Sequence, residues 1–422
     1  MGFLRALVIA QLYPPDMGGG ATRAYNVAKG LVMNGCEVMV VAAFPHYPNG
    51  NVPDKYRWKP FVLENVEEIK VVRTFVPPVS SQGLVKRMIL FLSFIVSSLF
   101  AVPLVGDVDV VWAANPNIVC IFPAMFYGFV KRKPVALNVD DLWPGDLHRF
   151  GLVDENSLLF KTIRLLAKFA YAKARLITPI CPGYVGVLCE KYGVNREKVC
   201  VVRAGVDFDT FGIAGNLSNA DRSDFRILYS GAFSVAYDFD QVLLASKRLE
   251  DVDGVEFVLQ GGGELAGYVG SRVKELGLNN VKVLDRIVSR AEVAELLGGA
   301  DALILPLRDF GTPYLGMSSK LYEYQAAGKP VICCAEGQPA EYVKETRSGV
   351  VVRPGDHEAL AEAVLYLKEN RAVAEGLGAS GRRYVESNLS IDKIGLKMME
   401  IFNYILRGPS RIHKAEQQAR EM

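Results

Sequence analysis

Short runs of β-branched and other apolar residues alternate along this chain with amphipathic stretches of about ten to fifteen residues, the pattern of parallel sheets covered by helices on both faces. In the first half the runs predict strands near residues 4–10, 37–43, 69–74, 108–113, 135–139 and 176–179. In the second half they fall near 199–203, 226–230, 255–260, 281–284, 302–306, 331–334 and 349–352. Between the two series the chain turns rich in Gly, Ser, Asn and Asp over residues 212–224 (GIAGNLSNADRSD) and poor in apolar residues, which marks a linker. The pattern therefore predicts an α/β fold with one domain over residues 1–205, a linker over 206–223 and a second domain over 224–390. A last helix over 391–408, capped by Ser390, packs back toward the first domain, and a polar tail follows over 409–422.

Two stretches depart from the ordinary amphipathic pattern. Residues 88–105 (MILFLSFIVSSLFAVPLV) are eighteen without a charge, at the threshold for spanning a bilayer. Ser93, Ser97, Ser98 and Pro103 weigh against a span, which leaves a wholly buried helix or one lying in a membrane interface beside it. Residues 157–175 place Lys161, Arg164, Lys168 and Arg175 on one helical stripe, with Leu158, Ile163, Leu165, Leu166 and Phe169 on other faces. That stripe suits an anionic lipid surface or plain solvent.

Composition narrows the class further. With 422 residues, 50% of them hydrophobic and 22% charged, the chain is globular and too long for a single core. Its net charge is +2, so no chain-wide basic field argues for nucleic acid. Residues 1–210 nevertheless carry 23 basic and 17 acidic side chains, against 25 and 29 in the remainder, so the halves face different surroundings. The seven cysteines show no C-x-x-C spacing and sit mostly in apolar runs, which reads as reduced core thiols in a cytoplasmic protein. The first ten residues read as a buried strand, not as a signal peptide.

Four constellations could carry chemistry. The loop at residues 12–20 (LYPPDMGGG) leaves the first strand and enters a helix predicted over 21–34, so Gly18, Gly19 and Gly20 could let the backbone approach an anionic ligand. After the strand at 302–306, Ser318 and Ser319 stand as N-caps of a helix that Gly328 ends. Lys320 falls in that helix's first turn, where the positive dipole end disfavours a cation unless an anion such as a pyrophosphate is bound there. Glu323 lies one turn further up, suited to a pair of sugar hydroxyls. Gly261, Gly263 and Gly267 follow the strand at 255–260, and Asp285 ends the next, close to a dinucleotide fingerprint. Finally, residues 138–149 (NVDDLWPGDLHR) gather Asp140, Asp141, Trp143, Asp146 and His148 at a strand end, as hydroxyl-binding or general-base groups or as helix caps. Neither G-x-x-x-x-G-K-[ST] nor H-E-x-x-H occurs, and the four short Asp-x-Asp pairs assign no metal.

Taken in order, these residues resemble the GT-B glycosyltransferases, whose two Rossmann-like doubly wound domains face each other across a cleft. The resemblance is to family 4 and its bacterial and archaeal polysaccharide and lipid-linked-glycan branch. It is carried by P-P-x-x-G-G at residues 14–19, P-x-Y-P at 45–48, D-L-W-P at 141–144, G-V-D at 205–207 and Y-S-G at 229–231. The glycine loop at 261–263 and S-K-L-Y-E-Y-x-A-x-G-K-P-V-I at 319–332 complete it.

The resemblance implies that the second domain holds a nucleoside-diphosphate sugar, with Glu323 on the ribose, Ser318, Ser319 and Lys320 at the diphosphate, and Gly231, Gly263 and Arg286 lining the base and phosphate sides. Gly18 and Gly19 close over the donor, and Asp141, with Asp140 and His148 near it, serves the acceptor or the transferred sugar. Asp141, Lys320 and Glu323 form the implied catalytic set. The family's first glutamate should stand at position 315, which is Leu315, and its usual Lys-Gly pair is replaced over residues 234–237, leaving Arg308 and Asp309 as the nearest substitutes. The family further implies retention of configuration without a metal or other cofactor, and domain closure about the linker. It implies a uridine-diphosphate-linked N-acetylhexosamine or deoxyhexosamine donor, a lipid-linked or growing glycan acceptor, and a place at the inner face of the cell membrane. A NAD-linked sugar-nucleotide oxidoreductase would account for the glycine loop, and a non-catalytic nucleotide-binding protein for Leu315.

Overall fold

The computed structural model describes residues 3–47, 50–80, 83–114, 116–212 and 224–408. Residues 213–223, the centre of the stretch read as a linker, and the tail 409–422 lie outside the described residues. The chain divides into two compact units, one running to Gly205 and resuming at Ile391, the other covering Val206–Ser390.

The first unit runs through β1 (Arg5–Ala10), α1 (Gly19–Met33), β2 (Glu37–Ala43), β3 (Phe61–Val66), β4 (Ile69–Thr74), α2 (Leu84–Leu99) and β5 (Val110–Ala113). It continues with α3 (Asn117–Lys131), β6 (Val135–Val139), α4 (Gly145–Arg149), α5 (Leu158–Lys173), β7 (Leu176–Pro179) and α6 (Gly183–Glu190). The second unit holds α7 (Phe208–Phe211), β8 (Phe225–Ser230), α8 (Phe239–Arg248), β9 (Val255–Gly261), α9 (Ala266–Glu275), β10 (Val281–Asp285), α10 (Arg290–Gly298) and β11 (Ala302–Pro306). Then come α11 (Lys320–Ala326), β12 (Val331–Cys334), α12 (Gln338–Thr346), β13 (Gly349–Val352), α13 (His357–Glu369) and α14 (Arg371–Asn388). The last helix, α15 (Ile391–Arg407), belongs to the first unit.

The first sheet has the order β3-β4-β2-β1-β5-β6-β7, parallel except for the antiparallel β3–β4 hairpin. Its inner strands are mostly apolar because helices cover both faces. Strand β3 is absent from the sequence reading for the opposite reason. It is an edge strand, FVLENV, without a fully buried residue, so it carries no continuous apolar run. The strand expected at 199–203 does not form a ladder: Cys200 and Val202 donate backbone bonds to Ile177 and Pro179 of β7, but the Val202 carbonyl is taken by the Arg23 guanidinium (2.6 Å). The second sheet is parallel in the order β10-β9-β8-β11-β12-β13. Strand order reverses at β1/β5 in one sheet and at β8/β11 in the other, where a doubly wound fold leaves a crevice beyond the carboxyl ends of the strands.

Helix α15 crosses α1 at a pair of glycines. A Cβ on Gly395 would stand 2.0 Å from the Gly30 carbonyl oxygen, and one on Gly30 would stand 2.3 Å from that of Ile391. Asn34 fastens the crossing by donating from Nδ2 to the Asp392 carbonyl (2.9 Å).

The uncharged stretch at 88–105 resolves into the end of α2 and a short 3-10 turn at Val102–Leu104. Sixteen residues rise about 24 Å, short of the roughly 30 Å of a bilayer core, and no helix among the described residues is long and apolar enough to cross a membrane. Leu90, Phe94 and Ser98 form its buried stripe. The serines satisfy their own hydroxyls, donating to the carbonyls of Leu90, Phe94 and Ile95 three residues back.

Candidate functional site

In the second unit the two strands at the switch point deliver their loops to one place. Strand β8 ends at Ser230, and Gly231 follows with φ 150°. Across Gly231 lies the side chain of Lys320, the first residue of α11: a Cβ on Gly231 would be 2.0 Å from Lys320 Cε and 2.8 Å from Nζ. The ammonium donates to Tyr237 Oη (2.8 Å) and sits 4.7 Å from that ring's centroid. Tyr237 thus occupies the segment where the family's Lys-Gly pair is missing, and it holds Lys320.

The serines before α11 do not act as caps through their side chains. Ser319 takes the N-cap position in helical conformation with no side-chain bond, so the helix start is left to backbone groups. One turn on, Glu323 is 21% exposed and pairs with Arg290 Nη1 at 3.5 Å. Burial pushes its carboxyl up, and Arg290 and then Lys320 oppose the shift. The Arg290 guanidinium in turn packs 4.9 Å from the Phe211 ring of α7. Arg290, Phe211 and Tyr237 were invisible to sequence reasoning because each acts through a partner more than thirty residues away.

The other glycines have a structural cause. A Cβ on Gly261 would fall 1.7 Å from the Gly231 carbonyl oxygen, and one on Gly263 would fall 2.6 Å from that of Phe233. The loops after β8 and β9 are therefore zipped backbone to backbone, through Gly231 N–H to Gln260 O and Phe233 N–H to Gly262 O (both 2.9 Å). Gln260 continues the network by accepting from Ser230 Oγ (2.6 Å) and donating to the Arg286 carbonyl (2.7 Å). The Arg286 guanidinium is turned to Glu292 and more than half exposed. Arg308 is exposed beside Asp309, whose carboxylate accepts the Gly311 amide at 2.7 Å, and both line a small recess with Phe310, Tyr314 and Glu336. Leu315 follows Tyr314, whose amide donates to the Glu336 carbonyl (3.1 Å).

In the first unit the loop after β1 is anchored at both ends. Fully buried Arg73 donates to the carbonyls of Tyr13 and Pro14 and to Glu64 Oε1 (2.8 Å). Asp16, also buried, accepts the amides of His46 and Tyr47 (2.8 Å each). Gly18, at φ 118°, is the N-cap, and α1 starts at Gly19 and Gly20, two residues earlier than the apolar spacing suggests.

Four residues into α1, Arg23 is 2% exposed and reaches the end of β6. Its Nε lies 2.8 Å from Asp140 Oδ1 and 3.0 Å from Asn138 Oδ1. Burial raises the Asp140 carboxyl, with Arg23 opposing it. Asp141 has no such arginine among its strongest influences: burial, then Asp146, then Asp140 push it up to about 8. Asp146 is a structural residue, accepting the Leu142 amide (2.6 Å) and the Tyr184 hydroxyl (3.2 Å). His148 faces elsewhere, with Nδ1 at the Val153 carbonyl (3.1 Å) and Nε2 3.6 Å from Glu155, so its ring nitrogens are engaged away from the loop's carboxylates.

The arrangement supplies a cation over a glycine at one switch point, with a partly buried carboxylate one turn above it, and in the other unit a carboxyl that burial and acidic neighbours push up to about 8. Comparison with known proteins points the same way. The sequence model described as Glycosyltransferase Family 4 matches residues 17–210, and the one described as Glycosyl transferases group 1 matches 217–384. An uncharacterized glycosyltransferase of Methanocaldococcus jannaschii is 21% identical, covering 94% of this chain and 98% of its own. The O-antigen chain mannosyltransferase C of Escherichia coli is 24% identical over 96% of this chain and all of its own. Among solved structures, Anabaena HepE in complex with UDP-glucose superposes with a TM-score of 0.64 at 15% identity, covering 95% of this chain and 99% of its own. With both units matched in order and the doubly wound sheets in place, the chain belongs to the GT-B glycosyltransferases of the family 4 type.

Proposed function

We propose that this glycosyltransferase binds a uridine-diphosphate sugar on its second unit and transfers the sugar, with retention, to a lipid-linked or growing glycan at the inner face of the cell membrane. The observation that carries the donor site is Lys320 laid over Gly231 at the carboxyl end of the switch-point strand. Departure of a nucleoside diphosphate builds negative charge on phosphate, so a fixed ammonium there stabilises the transition state more than the ground state. Glu323, one turn further along the helix and paired with Arg290, takes the ribose hydroxyls in this reading. In a retaining transfer the acceptor hydroxyl approaches from the leaving-group side. The bond from the anomeric carbon to the diphosphate oxygen breaks, the new glycosidic bond forms, and the proton passes to the departing phosphate oxygen. Asp141 serves a hydroxyl of the acceptor or of the transferred sugar.

Leu315 supports a donor with fewer hydroxyls. Where the family has a hydroxyl-binding glutamate, an apolar side chain offers no partner to a sugar hydroxyl but accommodates a deoxy position, and leaving a hydroxyl unpaired discriminates strongly. A deoxyhexosamine fits this, and HepE's UDP-glucose supports the uridine diphosphate portion.

The test is calorimetry with uridine diphosphate. Lys320→Ala should weaken binding by about 1.5–3 kcal/mol, the range for a hydrogen bond to a charged group. An unchanged affinity refutes the phosphate site. A panel of UDP-glucose, UDP-N-acetylglucosamine, a UDP-deoxyhexosamine and GDP-mannose, scored by protection against heat, then assigns the sugar.

A further inference from the structure

Helices α2, α3 and α5 share one face of the first sheet. They precede β5, β6 and β7, which are added successively to the same side of β1, and right-handed crossovers in one direction place their helices in one layer. The layer is closed by contacts of α3 with both α2 and α5, including the stacked rings of Phe122 and Phe169 (6.4 Å). This face has an unusual composition. The three helices carry two, one and four basic residues and no carboxylate. The nearest acids, Asp154 and Glu155, come before the α5 cap at Ser157.

The same face is apolar where a helix should be polar. Leu92 and Val96 of α2, Phe129 of α3 (82% exposed), and Leu158 and Leu165 of α5 point outward. On α5 the buried residues are Ala167, Ala170 and Tyr171, while Leu165 and Phe169 stand exposed between Lys161, Arg164 and Lys168. The sequence places cations and leucines on different faces, whereas the structure puts both outward. At the margin of the layer, α2 and the edge of the sheet bound a groove of about 750 Å³ lined by Pro60, Phe61, Phe75, Leu92, Val96 and Phe100.

We propose that the α2/α3/α5 face docks on a leaflet containing anionic phospholipid, the cations at the headgroups, the outward leucines and phenylalanines at the acyl boundary, and one acyl chain in the groove. Charge decides the occupant. A second copy of this chain, related by a two-fold axis, would bring an acid-free basic surface against itself, whereas an anionic leaflet complements both the cations and the apolar side chains. This rests on the reading above in setting the acceptor at a membrane, and it names the surface that meets the lipid. Uridine diphosphate binding by the second unit does not depend on it, so the two ideas fail separately.

Sedimentation of the full chain with vesicles tests it, using phosphatidylcholine alone and phosphatidylcholine with about a third phosphatidylglycerol. Binding should require the anionic lipid and weaken as salt rises from about 0.1 M to about 0.5 M. The variant Lys161→Gln/Arg164→Gln/Lys168→Gln should bind about 100-fold more weakly, at about fivefold per cation, while keeping wild-type thermal protection by uridine diphosphate. A Leu92→Ser/Val96→Ser variant should bind more weakly while keeping the same salt dependence. Absence of binding, equal binding to both vesicles, or an unaffected triple variant overturns the proposal. So does a concentration-dependent dimer in light scattering that Phe129→Ser dissolves.

Discussion

Replacing Gly231 by alanine isolates the geometry on which the proposed donor site depends. The added methyl would lie 2.0 Å from Lys320 Cε and 2.8 Å from Nζ, so the lysine must leave its place over the strand end. Those atoms are the far end of a flexible side chain, and moving them costs little in folding. The fold instead bears the backbone strain of a non-glycine residue at φ 150°, about 1–3 kcal/mol. Binding loses what the ammonium contributes, about 1.5–3 kcal/mol, or roughly 10- to 150-fold in the dissociation constant of uridine diphosphate. The informative experiment is the double-mutant cycle with Lys320→Ala, read by calorimetry. Once the ammonium is gone, the methyl has nothing to displace, so Gly231→Ala should cost no further affinity, and the coupling energy should approach the whole single-variant effect. Additive losses would mean that the lysine acts from some other position and that its path over Gly231 is irrelevant to phosphate.

Two further outcomes follow from the first unit. Gly395→Ala forces a methyl against the Gly30 backbone at 2.0 Å, where neither helix can yield by a side-chain rotation, and should lower unfolding free energy by about 1–3 kcal/mol in urea titration. A wild-type urea midpoint would show that α15 lies further from α1. Asp141 ionises near 4 in an unfolded chain but near 8 in place, so the native state keeps a proton that the unfolded state releases. The stability it contributes is full below about pH 4 and falls as pH rises through 8, so wild type should lose stability relative to Asp141→Asn over that interval. Parallel pH profiles for the two proteins would contradict the assignment.

Much of this architecture is legible in the sequence because a parallel strand buried on both faces has to be a continuous apolar run, as in β1, β5 and β11. Strand β3 escapes that rule by lying at an edge, and the 199–203 segment imitates it while its carbonyl serves an arginine. In the site, Lys320 and Glu323 stand out since a cation and a carboxylate one turn apart at a helix start have few structural reasons to be there. The glycines of the β9 loop also stand out, and packing is one reason for them. Their spacing resembles a nucleotide fingerprint, whereas Gly261 and Gly263 are required first by the carbonyls of Gly231 and Phe233 that press on them.

What the sequence conceals is pairing. Arg23 reads as one polar residue in an amphipathic helix, yet it joins the helix that opens at Gly19 to Asn138 and Asp140, more than a hundred residues on. Burial raises both carboxyls, but that guanidinium opposes the rise at Asp140 while acidic neighbours add to it at Asp141, so two adjacent aspartates that look alike in sequence sit in different electrostatic surroundings. The same logic operates in the second unit, where Arg290 fixes Glu323 and Tyr237 fixes Lys320. In the second unit, then, an aromatic or aromatic-backed partner sets the direction of each group proposed to meet the donor, in the first a buried guanidinium holds Asp140 beside Asp141, and every such partner is supplied by an element distant in the chain. Substituting the partner while keeping the facing group is therefore the sharper probe of either site, since it changes orientation without removing the atoms proposed to bind.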